Sequence, residues 1–230
     1  MKSTNKYIIV DFDHTIGYFR QIIYILNIIE THFIQGLTKE NVFHILDKYP
    51  YIFRPKIHNI LEYISSNKRH ITFFILYTFN NNKKFVYLII EYIKQKLNLS
   101  DELFDYKIFQ GSTKNGKSIE YLESQIMPNN SIKSDNTIDL YCYIDDKRYN
   151  AMIRNNVQYI HCERYVFHYA QRDIVRAFPF NVIQIHKSIL KKYMKKYDDE
   201  KRPPNCLPRG SFVLSSLNLL ALIDDFIHRV

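Results

Sequence analysis

No segment of this 230-residue chain reaches the roughly 18 uninterrupted apolar residues expected of a membrane-spanning helix. Of the nearest runs, Ile22–Ile29 is broken by Asn27 and Leu219–Ile223 is too short. The N-terminus, Met1-Lys-Ser-Thr-Asn-Lys6, also lacks an apolar leader with a cleavage site, and runs directly into strand-like residues. Together these absences predict an intracellular protein of the cytoplasm or nucleus, away from membranes. Cysteine is scarce: Cys142, Cys162 and Cys206 form neither an even set nor a metal-type spacing. Reduced thiols are therefore expected, rather than disulfides or a zinc site. Tryptophan is absent, although the chain holds 19 Tyr and 16 Phe with abundant Ile, Asn and Lys. AT-rich coding produces the same bias, so these rings alone are no evidence for base-stacking platforms.

Hydrophobic residues make up 46% and charged residues 24%, a balance that excludes disordered and fibrous classes and fits a soluble globular protein. The length allows one large domain, or a core with a small accessory module. Lys and Arg outnumber Asp and Glu by 32 to 23, giving a net charge of +9. Such an excess is compatible with an ordinary solvated surface, and it also suits a polyanionic partner, either nucleic acid or a phosphorylated substrate.

Short apolar runs alternate with longer segments of helical period. Tyr7–Val10, Ile71–Tyr77, Tyr106–Phe109, Ile138–Ile144 and Val157–Ile160 read as strands. Between them, residues 16–34, the segment after Thr38, Ile57–Ile64, Phe85–Leu97 and a segment from about Lys117 read as helices. Alternation of this kind predicts a doubly wound parallel sheet in a three-layer α/β sandwich, with right-handed crossovers. The tail is expected to hold a basic helix over His186–Tyr197, a linker over Asp198–Gly210, and an apolar helix carrying Leu219, Leu220, Ile223, Phe226 and Ile227. The five lysines within Lys187–Lys196 are read as a solvated face, with a polyanion-binding face as the alternative.

In an open parallel sheet, ligands bind beyond the carboxyl ends of the strands, so the polar residues there are the candidates for chemistry. The first strand ends in Asp11-Phe-Asp13-His-Thr15, the second in Thr78 and the fourth in Asp145-Asp146. A lysine, Lys114 or Lys117, lies in the loop Gly111–Lys117 after the third. Adjacent like charges after an apolar strand are unfavourable unless a cation sits between them. Cys142 reads as a small core residue, and His161 and His168 show no partner pattern.

The motifs Val10-Asp-Phe-Asp-His-Thr15, Leu76-Tyr-Thr78, Lys117 and Tyr143-Ile-Asp-Asp146 resemble the four signatures of haloacid dehalogenase (HAD) superfamily hydrolases, over roughly residues 6–165. Phe53-Arg54-Pro55, and the run from Ile57 to Thr78, resemble the phosphatases that act on the C-terminal domain of RNA polymerase II. The chain departs from them at residues 16–50, which read as helical where those enzymes carry a β-rich insert, and at Asp146, where Asn is usual. The helical stretch is a candidate for a small cap.

The resemblance implies a Mg²⁺-dependent phosphatase with Asp11 as nucleophile and Asp13 as general acid and base. A carboxylate attacks a phosphate dianion poorly, because like charges repel, and a bridging divalent cation removes that repulsion. Mg²⁺ prefers oxygen ligands. The Asp11 carboxylate, the Asp13 carbonyl and Asp145 would supply three of them, with Asp146 as a direct or water-mediated ligand. Thr78 would bond a phosphoryl oxygen, and Lys117 would neutralise charge in the transition state. The position of His14 in the motif argues against its acting as the acid, and Thr15 is assigned to the backbone of the loop. A HAD-like core is expected over 1–165 and a partly helical extension, packed on it, over 166–230. The subfamily resemblance implies a phosphoprotein substrate. The alternatives are a nucleotide or nucleic-acid end phosphatase, and a catalytically silent binding protein that has kept the fold.

Overall fold

The computed structural model describes residues 3–32, 37–111, 116–126, 137–201 and 209–229, except for the side chains of Glu200 and Lys201. Five strands form one parallel sheet: β1 (Ser3–Val10), β2 (Phe73–Thr78), β3 (Tyr106–Phe109), β4 (Thr137–Asp145) and β5 (Val157–His161). Their order is β3-β2-β1-β4-β5, so the chain winds outward from β1 in both directions. The direction of winding reverses between β1 and β4, and this opens a crevice at their carboxyl ends.

The period of two along each strand separates two cores. Ile8, Val10, Phe74, Leu76, Cys142 and Ile144 point to one face, Tyr7, Ile9, Ile75, Tyr77, Tyr141 and Tyr143 to the other. The first face is covered by α1 (Arg20–His32), α2 (Lys39–Lys48), α3 (Ile57–Ser66) and α4 (Lys83–Lys96). Behind the second lie α5 (Ile119–Ile126) and Met152. The stripe Ile57, Ile60, Leu61 and Ile64 is wholly buried, and burying each such side chain contributes about 1.5–3 kcal/mol. Side-chain caps fix two helix starts: the Thr38 hydroxyl accepts from Asn41 N (3.2 Å) and Asn82 Oδ1 from Phe85 N (3.1 Å).

The five expected strands are present, while several boundaries differ from those the sequence suggests. The helical segment expected from residue 16 begins only at Arg20, because Gly17 bridges to Asp13 and to Phe53. A Cβ on Gly17 would stand 2.6 Å from the Ile52 carbonyl oxygen, so this approach requires glycine. Both ends of the expected linker are helical, since α7 (Lys187–Lys201) runs through Asp198 and α8 (Arg209–His228) starts at Arg209; residues 202–208 between them lie outside the described residues. A further helix, α6 (Gln171–Ala177), was too short to show a period in the sequence.

Ile174, Leu190, Met194, Leu219, Ile223 and Phe226 from α6–α8 belong to the same core cluster as α1–α4. Helix α1 packs against α7, and α2 against α4. By length and composition α8 could cross a membrane, with a mean hydropathy of 1.5 over its most apolar window, of which 33% is buried here. It contains no long unbroken apolar run, because Ser215, Ser216, Asn218, Asp224 and Asp225 interrupt it.

Candidate active site

The crevice between β1 and β4 collects most of the residues singled out in the sequence. Val10 pairs with Ile144, and the backbone N–H of Asp11 donates to the Ile144 carbonyl at 2.9 Å. This pairing brings the end of β1 alongside the end of β4. The carboxylates of Asp11, Asp145 and Asp146 offer ligand oxygens within 4.8 Å of one another, and all three residues are buried. Lys117 reaches in from the segment before α5, donating to Asp11 Oδ1 at 2.5 Å and to Asp145 Oδ2 at 2.7 Å. Lys114, the other lysine of that loop, lies outside the described residues, as does Cys206.

Lys117 is held on every side. Its ammonium lies 5.3–5.7 Å from the ring centroids of Tyr77, Phe79, Tyr143 and Tyr149, a cage that suits a cation. The preceding Gly116 has φ +70°, and a Cβ there would stand 2.6 Å from the Tyr149 ring. Only glycine fits both the backbone angle and the space, and this sets the direction from which Lys117 enters.

The motif loop after β1 is clamped by Arg54, which is almost wholly buried. Its Nε donates to the Thr15 carbonyl at 2.7 Å, and its Nη2 to the carbonyls of His14 (2.9 Å) and Glu163. This clamp matters because His14 sits at φ +64°, a left-handed conformation costly to a residue with a Cβ. Thr15 Oγ1 accepts from Asp146 N (3.2 Å) and lies 3.5 Å from Asp11 Oδ2, tying the ends of the two strands together. Asp13 stands at the edge of the cluster, where Asn80 Nδ2 donates to its Oδ2 at 2.9 Å. The Thr78 hydroxyl accepts from Asn80 N at 3.0 Å, so the end of β2 shares one turn with the partner of Asp13.

Burial sets the electrostatics. Desolvation pushes the Asp11 carboxyl up to about 7; Lys117 opposes the rise and the nearby Asp145 adds to it. Asp13 is raised by burial against the pull of Asn80 and Lys117, and Asp146 is raised by burial and by Asp145. Burial alone would lower Lys117, but Asp11 and Asp145 outweigh it and hold the ammonium above its ordinary value. His14 is pushed down to about 4 by burial; the Tyr165 carbonyl opposes the fall, and Arg164, Lys147 and Arg20 add to it. Cys142 and Cys162 are both buried, and burial raises both thiols. The His161 Nε2 meets the Asp146 carbonyl at 3.0 Å.

Three residues support the site through contacts that the sequence does not reveal. Asn80 follows Thr78 by two, within a run of asparagines that reads only as a turn. Tyr143, whose hydroxyl donates to Asp145 Oδ2 at 2.5 Å, lies two residues earlier on the same strand and so on the same face. Arg54 was noticed for its place beside Pro55, but its three carbonyl partners come from distant segments. Comparison with protein-family models, with curated proteins and with solved structures finds no match to this chain.

Proposed function

We propose that the chain is a Mg²⁺-dependent phosphomonoester hydrolase of the HAD type, working through an aspartyl-phosphate on Asp11. The observation that carries this reading is one buried lysine bridging Asp11 and Asp145 inside a three-carboxylate cluster at the crevice between β1 and β4. Structural clusters rarely bury three carboxylates around a single ammonium, because desolvation of the unpaired charge is costly.

The donor set fits a hard divalent cation. All three side chains offer carboxylate oxygen, and Asp146 Oδ2 is buried with no hydrogen-bond partner among the described residues. The Arg164 Nε lies 3.8 Å from it. Mg²⁺ held by Asp11, Asp145 and Asp146 would offset the repulsion between nucleophile and phosphate and polarise the phosphoryl group.

The remaining chemistry belongs to the chain. An Asp11 oxygen forms a bond to phosphorus as the ester oxygen leaves, and that oxygen takes a proton from Asp13. Burial raises Asp13, so it keeps its proton at a higher pH than an ordinary carboxyl, and Asn80 fixes its direction. In the second half, Asp13 as carboxylate takes a proton from the water that attacks the phosphoaspartate, releasing phosphate and restoring Asp11. Lys117 neutralises the growing equatorial charge. The Thr78 hydroxyl, already accepting from Asn80 N, keeps its own hydrogen for a phosphoryl oxygen.

Hydrolysis of p-nitrophenyl phosphate should vanish with EDTA and return with Mg²⁺. Ca²⁺ should restore it poorly, because its larger and looser coordination misplaces the attack. Turnover undiminished in chelator would sink the metal mechanism. Mg²⁺ binding by calorimetry, with no turnover of any phosphomonoester, would favour the silent binding protein.

A further inference from the structure

The cations nearest the mouth of the site do not contact the carboxylate cluster closely. Arg164 is 55% exposed, and its Nη2 meets His14 Nε2 at 2.8 Å. His14 Nδ1 meets the Tyr165 carbonyl at 2.9 Å, and a carbonyl can only accept. Nδ1 therefore carries the hydrogen, leaving Nε2 as a lone pair that accepts from the guanidinium. A neutral His14 thus aims Arg164 along the rim. Lys147 and Arg20, both exposed, are the other cations bearing on His14.

The rim continues into a ring cluster. The Tyr165 hydroxyl donates to the Tyr51 carbonyl at 2.6 Å, joining the segment that holds His14 to Tyr51. Tyr51 is 40% exposed, stacks on Tyr169 at 5.9 Å, stands edge-on to Phe167 at 5.4 Å, and has the Arg209 guanidinium 4.0 Å over its ring. Guanidinium groups beside exposed rings are the elements with which proteins track single-stranded nucleic acid: cations on the diester backbone, rings under unstacked bases.

We propose that the substrate of this site is the phosphorylated end of a single-stranded nucleic acid, with Arg164 on the next phosphodiester and Tyr51 and Phe167 beside the following base. This deepens the phosphatase reading above and rests on it. A phosphoserine peptide brings one phosphate and no second anion for the exposed Arg164, whose pairing with Asp146 is long, at 3.8 Å. A nucleic-acid end brings a second anion within reach of the first. The products are an oligonucleotide hydroxyl and inorganic phosphate, with water consumed.

The test compares a 5′- and a 3′-phosphorylated trinucleotide, a phosphoserine peptide and p-nitrophenyl phosphate on the full chain with Mg²⁺. We expect KM for one trinucleotide to lie at least tenfold below those of the peptide and of p-nitrophenyl phosphate. Arg164→Ala and Tyr51→Ala should each raise that KM by at least tenfold more than they raise KM for p-nitrophenyl phosphate. A lower KM for the peptide, or equal shifts on both substrates, would overturn the proposal. Anisotropy of labelled trinucleotides with and without the end phosphate reads the same surface with no turnover. Affinity should require the phosphate and fall with salt at a log–log slope of about −1.4 for two contacted phosphates. Salt-insensitive or phosphate-independent binding would also overturn it. Failure to hydrolyse p-nitrophenyl phosphate, with the anisotropy result intact, removes the phosphatase reading and leaves the rim assignment standing. Turnover of p-nitrophenyl phosphate without trinucleotide preference does the reverse.

Discussion

Asp11→Asn is expected to lower turnover of p-nitrophenyl phosphate with Mg²⁺ by at least about 10⁴-fold, on the order of 5 kcal/mol of barrier. An amide oxygen cannot form the acyl phosphate, and the other carboxylates have their own places: Asp145 is tied to Lys117 and Tyr143, Asp13 to Asn80, and Asp146 stands in the proposed metal site. The same substitution should change stability in the opposite sense, and pH gives the signature. The Asp11 carboxyl is raised from 3.8 to about 7, first by burial and then by Asp145 against the pull of Lys117. The folded state therefore binds this proton more tightly than the unfolded chain does. Stability from this group is complete below the unfolded value and is lost as pH rises through about 7. Asparagine does not titrate, and its oxygen can still accept from Lys117. In EDTA, the mutant should melt above wild type at pH 7–8, with the gap closing toward pH 4. Near-wild-type turnover would remove the covalent mechanism. A mutant melting below wild type at pH 8 would show that the Lys117 pair outweighs the burial of Asp11.

The carboxylates were legible in the sequence because they sit at strand ends, and those ends are marked by an abrupt change from apolar to acidic. Val10-Asp11 and Ile144-Asp145 both carry that mark, and the register Val10 to Ile144 places them side by side. The sheet order was legible only as a class: alternation implies parallel strands, whereas the placing of β4 next to β1 depends on contacts more than a hundred residues apart. Arg54 shows the limit most plainly. Its three carbonyl acceptors come from residues 14, 15 and 163, and nothing near Arg54 in the chain reveals them. Asn80 was hidden in the same way, since its partner Asp13 lies 67 residues away. Lys117 stands between these cases. A glycine before a helix start marked it in the sequence, but its ring cage gathers Tyr77, Phe79, Tyr143 and Tyr149 from separate elements.

Lys117→Met should separate structure from catalysis at this residue. Methionine nearly fills the same volume, and its thioether suits the four rings around it, so packing is largely kept. The charge is not kept. Asp11 and Asp145 then face each other with no cation between them, both buried. Removing one partner of a buried ion pair typically costs about 3–5 kcal/mol, because the remaining charge is left desolvated. For a chain of this size, that is a fall in melting temperature on the order of 10 °C in EDTA. A divalent cation at the carboxylates replaces the missing charge, so Mg²⁺ should raise the mutant's melting temperature more than it raises that of wild type. Turnover with Mg²⁺ should still fall at least tenfold, about 1.4 kcal/mol of barrier, because in the proposed mechanism the metal would not also meet the equatorial oxygens assigned to Lys117. Lys114→Ala should leave both turnover and the EDTA melting temperature close to wild type. If Lys114→Ala proved the costlier of the two for turnover, Lys117 would be a structural counter-ion and the phosphate ligand would lie in the loop before it.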